Sequence, residues 1–167
     1  MDANAKKTAL RMIPYGLYVL TAEDDRGEAA AATINWVTQI AFDPPLVALG
    51  VKADSSAHAL IERTQCFALN ILGKDQKDVA FAFFKPTVKQ GDTLSGQPYR
   101  RGSTGSPILS KLPAYVECRV REIVKRGDHS AVIAEVVDAG VASQPEGRAD
   151  DVTLWLKDLG EKMYYGG

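Results

Sequence analysis

The sequence predicts a mainly β protein, an antiparallel barrel with peripheral helices. Many short segments are rich in β-branched and aromatic residues, and most of them are joined by hairpin-length links. Two segments have helical spacing, and both are short. The chain contains no GxGxxG motif and no P-loop, so a doubly wound nucleotide-binding fold has no support.

Length and composition are those of an ordinary globular domain. The 167 residues are 46% hydrophobic and 25% charged, and we expect one domain over residues 1–167. A net charge of -1 gives no electrostatic case for binding nucleic acid or an anionic membrane. The sequence shows neither a secretory leader nor an apolar run near the roughly 20 residues that span a bilayer. A cytoplasmic location is expected.

The first elements form a predicted hairpin. Residues 16–21 have strand composition, and Glu23–Gly27 is a hydrophilic turn. The chain then enters a strand that ends near Trp36. The run Ala29–Ala32 favours helix by propensity, but the turn before it and the Pro-Pro pair after it leave little room, so we predict a strand.

Pro44 and Pro45 mark a corner, since neither residue donates to a sheet ladder. The strand 46–51 follows, and Asp54, Ser55 and Ser56 offer N-cap oxygens for a helix over 57–63.

After a strand over 66–72, a second helix is predicted with Asp75 as its cap. Its apolar face, Val79, Ala80, Phe83 and Phe84, should close one end of a core. Residues 85–107 are rich in Gly, Pro, Ser and Thr without periodicity. We interpret them as a mobile flap over a site; an exposed connection without a role is the alternative.

Residues 115–124 alternate, with Val116, Cys118 and Val120 predicted inward and Glu117 outward. Gly127-Asp128 makes a turn. The strand over 130–141 is apolar on nearly both faces, which predicts a second cover such as another subunit. A polar loop over 144–151 and a closing segment with Leu154, Leu156, Tyr164 and Tyr165 complete the chain.

The two cysteines, Cys66 and Cys118, are far apart in the sequence. We interpret them as buried free thiols in preference to a disulfide or a metal site.

The stretch 33–56 has the features of a ligand site. A helix N-terminus presents unpaired N–H groups and partial positive charge, to which Lys52, Ser55 and Ser56 would add donors for a phosphate. The segment 33–39 adds hydrogen-bonding groups and a flat indole. A ligand with a planar ring at one end and a phosphate at the other would suit both. A plain capped helix beside a solvated lysine is the alternative.

The same residues carry a family resemblance. Thr33 stands ten residues before the Asp43-Pro44-Pro45 corner, Trp36-Val37-Thr38-Gln39 lies between them, and the triplet Gly127-Asp128-His129 follows later. The sequence resembles the flavin reductase-like family of FMN-binding split barrels, and in particular the module fused to cyanobacterial flavodiiron proteins. It departs from that family at Ala41, where a serine is frequent.

The resemblance implies a Greek-key split barrel that binds FMN, with NAD(P)H as substrate and no metal. Phosphate contacts are implied for Lys52, Ser55 and Ser56, with His58 near them and Lys85 within reach. Residues implied to surround the flavin ring are Thr33, Ile34, Asn35, Trp36, Thr38 and Gln39. Trp36 as a core residue is the alternative.

His129 and Asp128 are the catalytic candidates under this resemblance. His129 would orient the nicotinamide nucleotide, and Asp128 would brace its imidazole; an ordinary surface histidine in a turn is the alternative. A general acid or base is not required, because hydride passes directly from nicotinamide C4 to flavin N5.

The implied function is that of a homodimeric NAD(P)H-dependent flavin reductase. It would deliver electrons to free flavin, a redox protein or an oxygenase. A flavoredoxin-like FMN carrier that exchanges electrons with proteins is the main alternative, and a flavin-binding module without turnover is a third.

Overall fold

The computed structural model describes residues 1–142 and 144–166. Within them the strands are numbered β1 to β11 in chain order, and seven of these strands form one antiparallel sheet. Across the sheet they run β2 (Ala29–Ile34), β1 (Tyr18–Glu23), β5 (Cys66–Ile71), β10 (Ala114–Lys125), β11 (His129–Val141), β4 (Leu46–Lys52) and β3 (Val37–Ala41). The predicted mainly β class and the strand over the alanine run are confirmed.

The joint between β2 and β3 closes the sheet into a split barrel. These strands are the two edges of the sheet, yet only Asn35 and Trp36 separate them in the chain. Three Cα steps span at most about 11 Å, so the edges must meet. The amide of Gly50 on β4 donates to the Trp36 carbonyl at 2.9 Å. The prediction of one strand ending near Trp36 missed β3, because a two-residue interruption leaves almost no mark in the sequence.

Two hydrophobic cores lie on either side of the barrel wall. The inner core includes Leu20, Phe67 and Val132, and α2 (Ser56–Thr64) adds Leu60 and Ile61. The outer core covers the other face of β1. Its members include Leu17, Val19, Leu72, Ala80, Phe83 and Leu154.

The second predicted helix is α3 (Lys77–Ala82), and it supplies Ala80 to the outer core as expected. Its N-cap is Gln76, without a side-chain cap bond, so the prediction of Asp75 as the cap is wrong. The Gln76 side chain instead accepts from the Gly73 amide at 2.8 Å and donates to the Lys111 carbonyl at 2.7 Å.

Residues 85–107 do not form the predicted flap. They hold most of a small antiparallel sheet of β6 (Lys89–Gln90), β7 (Thr93–Leu94), β8 (Gln97–Arg101) and β9 (Pro107–Leu109). Leu94 and Leu109 are buried in the outer core. Lys89 and Arg101 both pair with the buried carboxylate of Glu23 on β1, which fastens this sheet to the barrel.

Glu117 lies on the outer face of β10, opposite the inward-facing Cys118, as the alternation predicts, but it is buried there. It is 0% exposed, since the turn between β8 and β9 covers this face of β10. Its carboxylate accepts from the backbone amides of Ser103 and Thr104, each at 2.8 Å. A Cβ on Gly102 would lie 2.3 Å from the carboxylate, so the turn requires glycine there.

The remaining elements lie at the ends of the chain. An unpredicted helix, α1 (Ala3–Arg11), is capped by Asp2 and buries none of its residues. Short 3₁₀ turns occupy Ala149–Val152 and Leu156–Leu159. Among the described residues, none of the helices is long and apolar enough to cross a membrane. Cys66 and Cys118 are both free, as predicted, but Cys66 is only partly buried; burial raises the pKa of the Cys118 thiol to about 12.

Candidate functional site

A cavity of about 380 Å³ lies at the joint of the barrel, beside the N-terminus of α2 and beneath the end of the chain. It is lined by six of the predicted site residues, namely Thr33, Ile34, Asn35, Lys52, Ser55 and His129. Further lining comes from Leu17, Ala32, Gly50, Val51, Phe83, Phe84, Leu156, Met163, Tyr164 and Tyr165. A larger groove of about 810 Å³ lies elsewhere, around Leu112 and Val152, and its described lining holds none of the predicted site residues.

Lys52 stands at the polar end of this cavity. Its position at the end of β4 sets it opposite His129 on β11. The Lys52 ammonium lies 3.0 Å from the Asp54 carboxylate, and the hydrogen bond between them raises the pKa of Lys52. The cation is therefore shared with an acidic neighbour, although both side chains are largely exposed.

Ser55 is the N-cap of α2, and its hydroxyl already has local partners. It donates to the Lys52 carbonyl at 2.7 Å and accepts from the His58 amide at 3.1 Å. Ser56 is exposed at the first helical position. The donors left for an anion are the Ser56 hydroxyl, first-turn amides such as that of Ala57, and the Lys52 ammonium.

The joint residues 33–35 line a further part of the cavity. The Thr33 hydroxyl donates to the Ala80 carbonyl at 2.8 Å, which ties β2 to α3. Asn35 is 4% exposed, and its side-chain amide donates to the Tyr165 carbonyl at 3.2 Å. The chain therefore bends at a residue whose polar side chain holds the C-terminal segment.

Trp36 is half-buried and packs among aromatic rings. Its ring centroid lies 4.7 Å from that of His129 and 5.4 Å from that of Tyr165. It also covers Gly50, where a Cβ would approach the indole to 2.8 Å. The indole Nε1 is buried and has no hydrogen-bond partner among the described residues.

His129 is bonded at both ring nitrogens. Nδ1 lies 3.1 Å from the Asp128 carboxylate, and Nε2 lies 2.7 Å from the Tyr165 hydroxyl. A neutral imidazole satisfies both contacts when Nδ1–H donates to Asp128 and Nε2 accepts from Tyr165. The hydrogen bond from His129 lowers the pKa of Asp128, and burial raises the pKa of Tyr165.

The other predicted site residues lie outside this lining. Thr38 and Gln39 are exposed on the edge strand β3, and Lys85 is exposed after α3. His58 is 3% exposed, with Nε2 at 2.9 Å from the Ser130 hydroxyl and Nδ1 at 3.4 Å from Glu62. That imidazole joins α2 to the start of β11, so it supports the N-terminal half of α2 from within.

The C-terminal segment is part of the cavity wall, although the sequence did not indicate it as part of the site. Met163, Tyr164 and Tyr165 all line the cavity, whereas the sequence indicated only a closing segment. Two adjacent tyrosines in a polar tail were the available signal. Phe83 and Phe84 line the cavity as well. The predicted core position is confirmed for Phe83, which belongs to the outer core, and is wrong for Phe84, which is 48% exposed.

Comparison with known proteins places the chain in a family. The flavin reductase like domain model matches residues 10–160. An NADH-dependent flavin reductase of Pseudomonas fluorescens is 34% identical over 156 residues, which cover 93% of this chain and 87% of that protein. A diflavin flavoprotein of the cyanobacterium Synechocystis is 33% identical over 144 residues, covering 85% of this chain and 25% of that protein.

A solved structure agrees with the fold. The styrene monooxygenase flavin reductase of Pseudomonas putida S12 superposes with a TM-score of 0.71 at 28% identity, over 84% of this chain and 88% of that one. The chain spans 57% and 42% of the length of two Rhizobium meliloti relatives that it matches over 135 residues.

Proposed function

The chain belongs to the flavin reductase-like domain family, and from this we propose that it binds FMN and catalyses the reduction of flavin by NAD(P)H. One observation carries the proposal. A single cavity is lined by Lys52 and Ser55 at the N-terminus of α2, by His129 beside Lys52, and by the joint residues 33–35. Its volume of about 380 Å³ is within the usual range for small-molecule sites.

The chemistry of the lining fits FMN. Its phosphate would meet the Lys52 ammonium, the Ser56 hydroxyl and the first-turn amides of α2. Its ring would lie against the joint at Thr33, Ile34 and Asn35. Trp36 packs against His129 and Tyr165 and covers Gly50, so its indole supports three of the residues that line the cavity from behind.

When bound, the isoalloxazine ring supplies the redox chemistry, accepting hydride from the nicotinamide. The chain's own residues position the reactants. Lys52 neutralises the phosphate charge, and the apolar lining from Leu17 and Phe83 limits water around the ring. His129 would orient the nicotinamide nucleotide, with Asp128 fixing the tautomer of its imidazole.

We further propose a homodimer whose interface adjoins the site. A groove of about 820 Å³ runs past Trp36, Val37 and Ala131, and it shares Gly50 with the lining of the cavity. On the neighbouring β3–β4 hairpin, Ile40 is 48% exposed and Phe42 is 92% exposed. A second copy over this face would cover these side chains and bring the exposed Thr38 and Gln39 close to a shared pocket.

The test is anaerobic mixing of the FMN-loaded protein with NADH and, separately, with NADPH, followed by the flavin absorbance. Rapid bleaching by at least one nucleotide is expected. His129→Ala should slow this bleaching while the dissociation constant of FMN stays nearly the same. Absence of bleaching by both nucleotides in the wild-type protein would refute the reductase function.

A flavoredoxin-like electron carrier is the second candidate, and one observation favours it. Both ring nitrogens of His129 are occupied by other residues of the chain, which leaves neither for a nucleotide in this conformation. Slow reduction by both nucleotides, together with fast reduction by a redox protein, would select the carrier.

For the reductase, we propose an oxygenase or free flavin as the acceptor.

A further inference from the structure

The C-terminal segment 160–166 is held over the cavity by residues from distant parts of the chain. The Tyr165 carbonyl accepts from Asn35, and the Tyr165 hydroxyl bonds to His129. The Gly166 carbonyl accepts from Arg11 Nε at 3.4 Å, while the Arg11 guanidinium lies 4.3 Å from the centroid of the Tyr164 ring. These contacts give the segment one defined position.

In that position the segment occupies the polar groups that the proposed site needs. An imidazole has two ring nitrogens, and in His129 one is bonded to Asp128 and the other to Tyr165. The side-chain amide of Asn35 is engaged by the same tyrosine. A nucleotide that uses His129 Nε2 must therefore displace the Tyr165 hydroxyl.

Tyr165 also resembles the ligand it would exclude. Its planar ring lies against the indole of Trp36 and edge-on to His129, with centroids 5.4 and 5.8 Å away. We propose that Tyr165 is a tethered competitor of the nicotinamide ring, and that segment 160–166 moves aside when NAD(P)H binds. This inference rests on the proposed reductase function.

The closed position is held weakly enough to open. Tyr164 and Tyr165 remain 54% and 48% exposed, and Arg11 belongs to α1, which buries none of its residues. The buried Trp36 Nε1 packs close to Gly166, where a Cβ would lie 3.5 Å from it, and it lacks a partner among the described residues. Opening would expose this donor to water or to a ligand, which offsets part of the cost of releasing the segment.

Tyr165→Phe tests the competition, because it removes the hydroxyl and keeps the ring. Titration calorimetry with NAD⁺ on the FMN-loaded protein should show a dissociation constant about 2- to 10-fold lower than in the wild type, since one hydrogen bond of the closed state is lost. The KM for NADH should fall by a similar factor. Tyr115→Phe is the matched control, since it removes a hydroxyl bonded to Arg100 away from the cavity and should change neither value.

An unchanged or higher dissociation constant for NAD⁺ in Tyr165→Phe would overturn the competition. Hydrogen exchange gives a readout independent of turnover: saturating NAD⁺ should accelerate exchange of the amides of 161–166. Slower exchange would show that the segment closes over the nucleotide, which also overturns the proposal.

The two proposals fail in different ways. If the wild type is reduced by NADH or NADPH but Tyr165→Phe binds NAD⁺ no more tightly, the competition is wrong and the reductase function stands. If neither nucleotide reduces the wild type but Tyr165→Phe gains affinity for NAD⁺, the reductase function is wrong and the competition between Tyr165 and the nucleotide stands.

Discussion

Lys52 and Asp54 form a charge pair at the place where the proposed phosphate would bind. The carboxylate competes with a phosphate for the same ammonium, so the two substitutions should act in opposite directions. Lys52→Ala should weaken FMN binding roughly 10- to 100-fold, as expected for loss of a charge-assisted contact. Asp54→Asn should strengthen it, because it frees the cation and removes a negative charge.

Quenching of flavin fluorescence on binding measures both dissociation constants. Lys85→Ala is the comparison, since this lysine was also predicted to reach the phosphate but is exposed outside the described lining, and it should leave FMN affinity unchanged. Equal loss of affinity in Lys52→Ala and Lys85→Ala would contradict the placement of the phosphate at α2.

Some residues of the candidate site can be predicted from a local sequence pattern, and others cannot. Lys52 and Ser55 are near neighbours in sequence, and an N-cap pattern after a strand predicts their proximity. Tyr165 meets His129 across 36 positions and Asn35 across 130, which no local pattern encodes. His58 has an obvious cap beside it, but its burial against Ser130 depends on the path of β11.

Among the elements, the segment 85–107 carries little sequence signal of its strands. Two of its strands contain two residues each, which is too short for an alternating pattern to appear. Burial of Leu94 and pairing of Lys89 and Arg101 with Glu23 replace periodicity as the forces that hold it. By contrast, α2 has a clear cap and β10 a clear alternation, and the sequence predicts both elements.

Glu117 anchors the turn of this small sheet to β10, and it predicts a pH-dependent stability. Burial opposes ionisation, but hydrogen bonds from Thr104 and Ser103 outweigh it and lower the pKa of Glu117. A group with a lowered folded-state pKa stabilises the fold above its unfolded value, near 4.5, and loses that contribution as the pH falls through the folded value. The wild-type free energy of unfolding should therefore drop on acidification below that range.

Glu117→Gln should lower the free energy of unfolding at neutral pH by about 1.5–3 kcal/mol, because buried donors lose a charged acceptor. Its stability should change less on acidification than that of the wild type. Urea unfolding at several pH values measures both effects. Glu122→Gln, exposed on the same strand, is the control and should change stability by less than about 0.5 kcal/mol. Equal stability of Glu117→Gln and wild type at neutral pH would contradict the anchoring role.

In the whole molecule, the position of the site follows from how the barrel closes. β2 and β3 lie at opposite edges of the sheet and are joined by two residues, so the barrel wall closes at the joint formed by Asn35 and Trp36. The cavity lies beside this joint, where Thr33 and Ile34 of β2 and Asn35 line it. The resemblance predicted a split barrel, but the existence of β3 as the second edge emerged only from the strand pairing.

The exposed face beside this joint predicts how the chain assembles. Phe42 is 92% exposed at the tip of the β3–β4 hairpin, beside the groove that adjoins the site. If a second copy covers this face, the wild type should sediment at twice the chain mass, and Phe42→Asp should raise the dissociation constant of the dimer by about 30-fold or more. Val88→Asp, at a position 56% exposed next to the small sheet, is the control and should leave the dimer intact.

Because the exposed Thr38 and Gln39 lie on the same edge strand, FMN affinity should fall together with dimerisation in Phe42→Asp. A wild type that sediments at the mass of one chain at every concentration would contradict the homodimer, and the cavity of a single chain would then have to hold the flavin alone.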